Sequence, residues 1–297
     1  MMVSYQPSIA GILVWQWRSA LLFTAAGLLA QLAHEYARWT HLTIPTLPVS
    51  IVGAAIGIFA SFRTNAAYAR WWEGRQLWGR LINASRTLGS QAVAWLPEDD
   101  ARALLRGQIA FCHLLRCALR DDDPWADPQV QAATTDAVRA RLADERNVPY
   151  AVAHDLRALA TRAADAGHLD PFRLAAIDRT VTDIVDVQGG CERIKRTPFP
   201  KGYGYIVDRL IVAFGCLLPF ALVRELGWAA VPINLIVCGA FALISEAGRV
   251  LEDPFSHFYN GLPLSALATT IEINLRQRMG ERDLPPMPKP DERGILM

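Results

Sequence analysis

The run Arg63-Thr-Asn-Ala-Ala-Tyr-Ala-Arg-Trp-Trp-Glu-Gly-Arg-Gln-Leu-Trp-Gly-Arg-Leu-Ile-Asn-Ala-Ser-Arg-Thr-Leu88 decides the fold. Its 26 residues carry three tryptophans, Trp71, Trp72 and Trp78, and five arginines. It begins directly behind a charge-free apolar stretch that ends at Phe62. An apolar helix that continues without a breaker into an Arg/Trp-rich amphipathic one predicts a membrane span running on into a cytosolic domain.

Composition agrees. With 52% hydrophobic and 20% charged residues over 297 positions, and a mean hydropathy of +0.16, the chain is too apolar for an ordinary soluble domain and too charged for one buried wholly in lipid. A net charge of +1 gives no global basic field for nucleic acid. Cys112, Cys117, Cys191, Cys216 and Cys238 show no CxxC spacing, and their odd number argues against a disulfide framework. They read as small buried hydrophobes. No signal-peptide pattern precedes Trp15.

Four stretches lack charge. Ser19–Ala33 lies between Arg18 and Glu35, with Trp15 and Trp17 placed like an interfacial belt. Trp39–Phe62 lies between Arg38 and Arg63, and Pro45 and Pro48 confine its helix to roughly Val49 onward. Leu210–Val223 follows Asp208 and Arg209, and Leu226–Ser245 is twenty residues without charge. A spanning helix needs about 20 apolar residues, so the fourth qualifies directly. The first and third need a flanking polar residue to snorkel or face protein. The short connections hold only Arg38 and Arg224, whereas the opposite side receives Arg18, Arg63, Arg70, Arg75, Arg80, Lys195, Arg196, Lys201, Arg209 and Arg249. The positive-inside rule therefore predicts four spans with both termini and the long middle segment cytoplasmic.

Residues 63–205 read as helical: Ala101–Leu119, Val130–Arg146, Ala151–Ala166 and Pro171–Arg193 show apolar residues at three- and four-residue steps. Breakers fall at Pro97, Asp121–Pro124, Pro149 and Gly167, and Asp170-Pro171 reads as an N-cap followed by proline at the first helical position. The expected fold is all-α, divided as 1–62 (spans 1 and 2), 63–205 (cytosolic helices), 206–248 (spans 3 and 4) and 249–297 (a cytosolic tail wrapping those helices, its Pro285–Pro290 end extended or disordered). No enzyme motif assembles. The six histidines are scattered, Arg38 stands where a second ligand of a His34-Glu35 zinc helix would be, and no Walker loop, dinucleotide fingerprint or nucleophile elbow occurs. Asp121-Asp122-Asp123 reads as a solvated turn with N-cap duty rather than a cation site. No cofactor and no metal site are expected.

The Arg63–Leu88 run, with its Arg63, Asn65, Tyr68, Arg70, Trp71, Trp72 and Trp78, resembles the signature of the bestrophin family of ion channels and their bacterial relatives. Gln188-Gly-Gly-Cys-Glu-Arg-Ile194 with Thr197-Pro-Phe-Pro200, Asp253-Pro-Phe255 (where the family usually has Asn-Pro-Phe), and the Thr-Ile-Glu-Ile-Asn-Leu275 ending extend the match in order and spacing over residues 10–278. The resemblance implies a homopentamer in the bacterial inner membrane around one central pore, with the second span lining a hydrophobic neck and the cytosolic helices enclosing a vestibule. Small monovalent ions would pass: the animal members are calcium-activated chloride channels, and the bacterial relatives tend to pass cations. Carried over, the neck residues are Ala54, Ile58 and Phe62. The cytosolic constriction falls at Phe172, with Leu174 and Ile177 as alternatives. Partners are further copies of the chain, membrane lipid and the permeating ions, not nucleic acid.

Helix geometry fits that neck. Positions 54, 58 and 62 advance about 400° per step and form one stripe. Gly53, Gly57 and Ser61 form an adjacent small-residue face on which another helix can pack. Ile58 and Phe62 could equally face lipid or a helix. An apolar ring gates by dewetting, and Ala54, where bulkier residues are common, shortens the tight part. Asp178, Asp183 and Asp186 are either vestibule-mouth charges or solvated surface. After Asp253-Pro-Phe255 the acidic calcium cluster of the animal channels is missing, so no calcium gating is expected, and Glu252 and Asp253 are left to bridge arginines. The alternative is a non-conducting membrane scaffold or assembly factor that binds a partner through its cytosolic helices.

Overall fold

The computed structural model describes residues 16–36, 44–292 and 294–296. Trp15, Arg38 and the beginning of the second apolar stretch, residues 39–43, lie outside the described residues. The chain forms helices α1 (Trp17–Glu35), α2 (Thr46–Trp95), α3 (Glu98–Arg120), α4 (Pro128–Ala133), α5 (Asp136–Leu142), α6 (Val148–Asp165), α7 (Pro171–Arg196), α8 (Lys201–Leu226), α9 (Ala230–Leu251) and α10 (Leu264–Arg278). No strand occurs among the described residues. Two compact units divide the chain at Arg70/Trp71, Thr197/Pro198 and Glu252/Asp253.

The first unit contains α1, the first half of α2, α8 and α9. By length and composition, Thr46–Trp95 and Gly204–Leu251 are long and apolar enough to cross a membrane. The second of these is two helices joined at Gly227, whose φ of 55° places it in the left-handed region that glycine enters without a Cβ clash. Helix α2 begins at Thr46, earlier than the Val49 expected, because Pro48 falls in the first turn, where a missing N–H breaks no intrahelical bond. Phe23, Ile56, Ala60, Val207, Ile211, Phe214 and Cys238 form the core. Helices α1 and α8 meet where Phe23 lies over Gly215: a Cβ at 215 would fall 2.3 Å from the Phe23 ring. Pro219 inside α8 cannot donate to the Gly215 carbonyl. That carbonyl accepts instead from Asn234 Nδ2 at 3.1 Å, and the same amide donates to Phe23 O at 2.8 Å. One fully buried side chain of α9 thus links α1 and α8.

The second unit is built around α3, which is buried on almost every face and packs against α6, α7, α10 and α4. Trp78, Leu81 and Leu88 from the second half of α2 join Leu104, Leu105, Phe111 and Leu115 in its core. Asp170 caps α7 as expected, accepting from Phe172 N and Arg173 N at 2.9 Å. The single helix expected over Val130–Arg146 is two. Thr134 turns its hydroxyl onto Val130 O (2.7 Å), Thr135 caps α5, and Arg139 covers the carbonyls that the break exposes. The Asp121–Asp123 run is a turn, but it ends α3 rather than capping α4: Asp121 is left-handed (φ 59°), and Asp127 is the residue that accepts from Gln129 N and Val130 N. Four cysteines are buried, and burial pushes the thiols of Cys112 and Cys191 up to about 12. Cys216 departs from the expectation and is exposed on α8.

Candidate functional site

The first half of α2 buries Val49, Ile56, Ala60 and Arg63 and turns Ile58 (57% exposed) and Phe62 (62%) outward, with Ala54 exposed on the same side. The small-residue face lies beside them: a Cβ at Gly53 would meet the Phe214 ring at 2.9 Å, and one at Gly57 would meet Phe241 at 3.4 Å. Ser61, its third member, is exposed instead. Ile51, Val52 and Phe59 are also exposed, so the outward apolar surface of α2 is broader than one stripe.

One residue past Phe62, Arg63 is 4% exposed. Its Nε and Nη2 donate to Glu252 Oε1 at 3.0 and 2.8 Å, and its Nη1 donates to Ser245 Oγ at 2.9 Å and Asp208 Oδ1 at 3.2 Å. Ser245 Oγ donates in turn to Asp208 at 2.6 Å. A guanidinium has five donors in a fixed fork, and here they fix the base of the outward stripe to α8 and to both ends of one acidic and hydroxyl cluster. Glu252 bridges an arginine, as the sequence suggested. The part played by Asp208 and Ser245 was missed, although both stand at the edges of apolar stretches. Arg70 Nε reaches Glu252 O at 3.2 Å, and Thr64 Oγ1 reaches Ile244 O at 3.2 Å, so the α2–α9 contact continues for two further turns.

The remaining signature residues divide by side. Trp78 is fully buried, Trp71 packs on the core and donates to Asn260 O at 2.8 Å, and Trp72, Tyr68 and Asn65 are exposed. Phe255 of the Asp-Pro-Phe segment is buried against Gly74, where a Cβ would lie 3.2 Å from its ring. Asp253 bridges Lys195 at 3.2 Å rather than the arginine expected, and Asp121 takes the same ammonium at 2.9 Å. Burial alone would lower Lys195, but Asp121 and Asp253 outweigh it and hold the ammonium above its ordinary range. Among the described residues no group of three or more His, Cys, Asp or Glu side chains is placed to hold a metal ion.

On α7, Phe172 is 88% exposed, Leu174 is half-buried and Ile177 is fully buried in the core. Asp178 pairs with Arg157 at 2.8 Å, whereas Asp183 and Asp186 are exposed. At about 100° per residue, Asp183 and Asp186 fall within roughly 40° of Phe172, and Asp178 lies roughly 120° away.

The profile of the family described as Bacterial/Fungal Bestrophin protein matches residues 4–277. The chain is 38% identical over 256 residues to the voltage-dependent anion channel-forming protein YneE of Escherichia coli K12, covering 85% of this chain and 84% of that one. It is 34% identical over 261 residues to a voltage-dependent anion channel-forming protein of Mesorhizobium japonicum, covering 86% and 83%. The crystal structure of a bacterial bestrophin homologue from Klebsiella pneumoniae superposes with a TM-score of 0.85 at 30% identity, over 90% of this chain and 99% of that one. With a signature helix of this geometry and a match along nearly its whole length, the chain belongs to the bacterial and fungal bestrophin family.

Proposed function

We propose that this protein is an integral membrane ion channel of the inner membrane, a homopentamer whose α2 helices line a hydrophobic neck at Ala54, Ile58 and Phe62. The observation that carries the reading is the pair of faces on α2: a small-residue face packed by Phe214 and Phe241, and beside it an apolar stripe that stays exposed among the described residues. In this reading α1, α2, α8 and α9 are the four spans, both termini are cytoplasmic, and Trp71–Thr197 forms the wall of a vestibule. Of the three residues considered for the cytosolic constriction, Phe172 is the one with its side chain free, since Ile177 is locked in the core and Leu174 packs on it. Asp183 and Asp186 follow on the Phe172 side and supply negative charge along the ion path, while Asp178 is engaged by Arg157. The relatives' names, voltage-dependent anion channel-forming proteins, support ion conduction and favour anions as the permeant class.

Conduction is tested by reconstituting the purified protein in planar bilayers under asymmetric potassium chloride. Unitary currents are expected, and the sign of the reversal potential reads the selectivity directly. Sealed bilayers with verified protein incorporation would overturn the channel and favour a scaffold.

A further inference from the structure

A cavity of about 350 Å³ opens in the second unit beside α3, at the start of α6 and the end of α7. Its floor is apolar, made by Leu114, Leu115 and Leu119 of α3 with Pro124 and Pro149. Its rim is cationic. Arg146 has no hydrogen-bond or ion-pair partner among the described residues, and Arg196 reaches only Glu192, at 3.5 Å. Glu192 holds Arg196 through Oε2 alone, since its Oε1 accepts from Asn147 Nδ2 at 3.0 Å and from Gln188 Nε2 at 2.7 Å. Gln188 is 3% exposed and also donates to Asn147 Oδ1 at 2.9 Å, so a buried amide fixes this polar wall. The first turn of α6, an 18-residue helix, adds the positive end of its dipole to the same rim.

From this geometry we infer that the cavity binds a small apolar carboxylate, its anionic head on Arg146 and Arg196 and its hydrocarbon body on the leucine floor. The chemistry excludes the simpler ligands. An inorganic anion would leave the apolar floor wet, and a neutral apolar molecule would leave the Arg146 guanidinium without a counter-charge and Arg196 with only its long contact to Glu192. A cavity at the small end of the range for ligand pockets, about 300–1,000 Å³, matches a compact body rather than a long acyl chain. Such a site is independent of ion conduction, and nothing in the pore reading requires it.

The test uses the full chain in lipid nanodiscs, with 3-phenylpropionate as probe, read by isothermal titration and by saturation-transfer NMR against empty nanodiscs. Saturable binding in the micromolar-to-millimolar range is expected. The neutral isostere 3-phenylpropanamide and the body-less anion acetate should each bind about tenfold or more weakly. Arg146→Gln and Arg196→Gln, both exposed and free of core packing, should weaken the propionate about tenfold together while leaving the amide unchanged. Ala118→Trp, which fills the cavity from its exposed edge, should abolish binding of both aromatic probes. The inference is overturned if the amide binds as tightly as the carboxylate, if the arginine variants bind it undiminished, or if no saturable binding appears at millimolar probe.

Discussion

At the scale of single residues, Asn234 and Pro219 form an unusual partnership. Proline removes one helix donor, and the carbonyl it leaves behind, Gly215 O, is satisfied from the neighbouring helix by the Asn234 amide. Asn234→Leu keeps the volume but leaves that carbonyl and Phe23 O without the amide, so it should cost about 1–3 kcal/mol. Restoring a donor with Pro219→Ala lets α8 bond Gly215 O itself, and Asn234→Leu should then cost less. Thermal unfolding of the four proteins in one detergent reads this coupling, and equal costs in both backgrounds would dissolve the partnership. Ile58 and Phe62 are different, since each is more than half exposed within its own chain. Truncating either to Ala removes a ring of apolar bulk in the proposed neck, and a wider, wetter constriction should raise unitary current or open probability. A packed position would instead lose about 2–5 kcal/mol on truncation. Phe59, about 100° round the helix from Ile58 and about 60° from Phe62, is the control and should not raise current. Alanine variants at 58 and 62 that assemble normally and conduct no better than the parent would remove the stripe from the pore.

Among the helices, α10 is held by a titratable contact. His113, fully buried on α3, places its Nε2 2.9 Å from Glu272 Oε2, and Arg276 lies 3.2 Å from the other oxygen. Burial would raise the Glu272 carboxyl, but His113 and Arg276 outweigh it and hold it below its ordinary value. A carboxylate with a lowered folded-state pKa contributes stability that is complete above its unfolded value, about 4.3, and is lost as pH falls through the folded value. The second unit should therefore lose stability in acid below about pH 4.3, and Glu272→Gln should flatten that dependence while costing about 1–3 kcal/mol at neutral pH, because an amide has one acceptor oxygen for the two partners His113 and Arg276. A melting profile of Glu272→Gln as steep in acid as the parent's would reject the assignment. At the junction of α3, α7 and the Asp-Pro-Phe segment, Lys195 already stands between Asp121 and Asp253. Channel current should then be the same in chelator and in micromolar calcium, and a steep rise with calcium would contradict it. The same helices show what the sequence made legible. Asp170-Pro171 announced α7 because a cap and a fixed φ are local signals, and Ala/Leu periodicity placed α3 and α6. The break between α4 and α5 carried a local signal too, the β-branched, cap-forming Thr134-Thr135, which the surrounding alanines outweighed. The His113 partner, and Asp208 and Ser245 beside Arg63, were not legible, because they lie 159, 145 and 182 residues away and only the packed helices select them from many similar polar groups.

For the whole molecule, the open question is what covers its apolar surface. In the first unit Ile51, Val52, Ile58, Ile206, Leu217 and Ile236 are exposed among the described residues, and in the proposed channel lipid or further copies of the chain cover them. Lipid would mask those residues in either case, so they do not report subunit number. Phe172 is outside that apolar surface and stands 88% exposed on the charged helix α7 of the unit read as cytosolic. Two roles fit a bare phenylalanine there: a ring that narrows the ion path, or a plug in the surface of the next subunit. Native mass spectrometry of the parent in detergent should show five copies, and a monomer or dimer as sole species would end the pentamer. Phe172→Ala then separates the two roles. As a constriction residue it makes no subunit contact, so the variant should remain pentameric and equally heat-stable while its unitary current or ion selectivity changes. As an interface residue its loss would remove one buried aromatic per contact, about 3–5 kcal/mol for a full truncation, and the variant should shed subunits with the current of any surviving pentamer unaltered. Unchanged assembly together with unchanged current would place Phe172 in neither role and move the cytosolic constriction off α7's first turn.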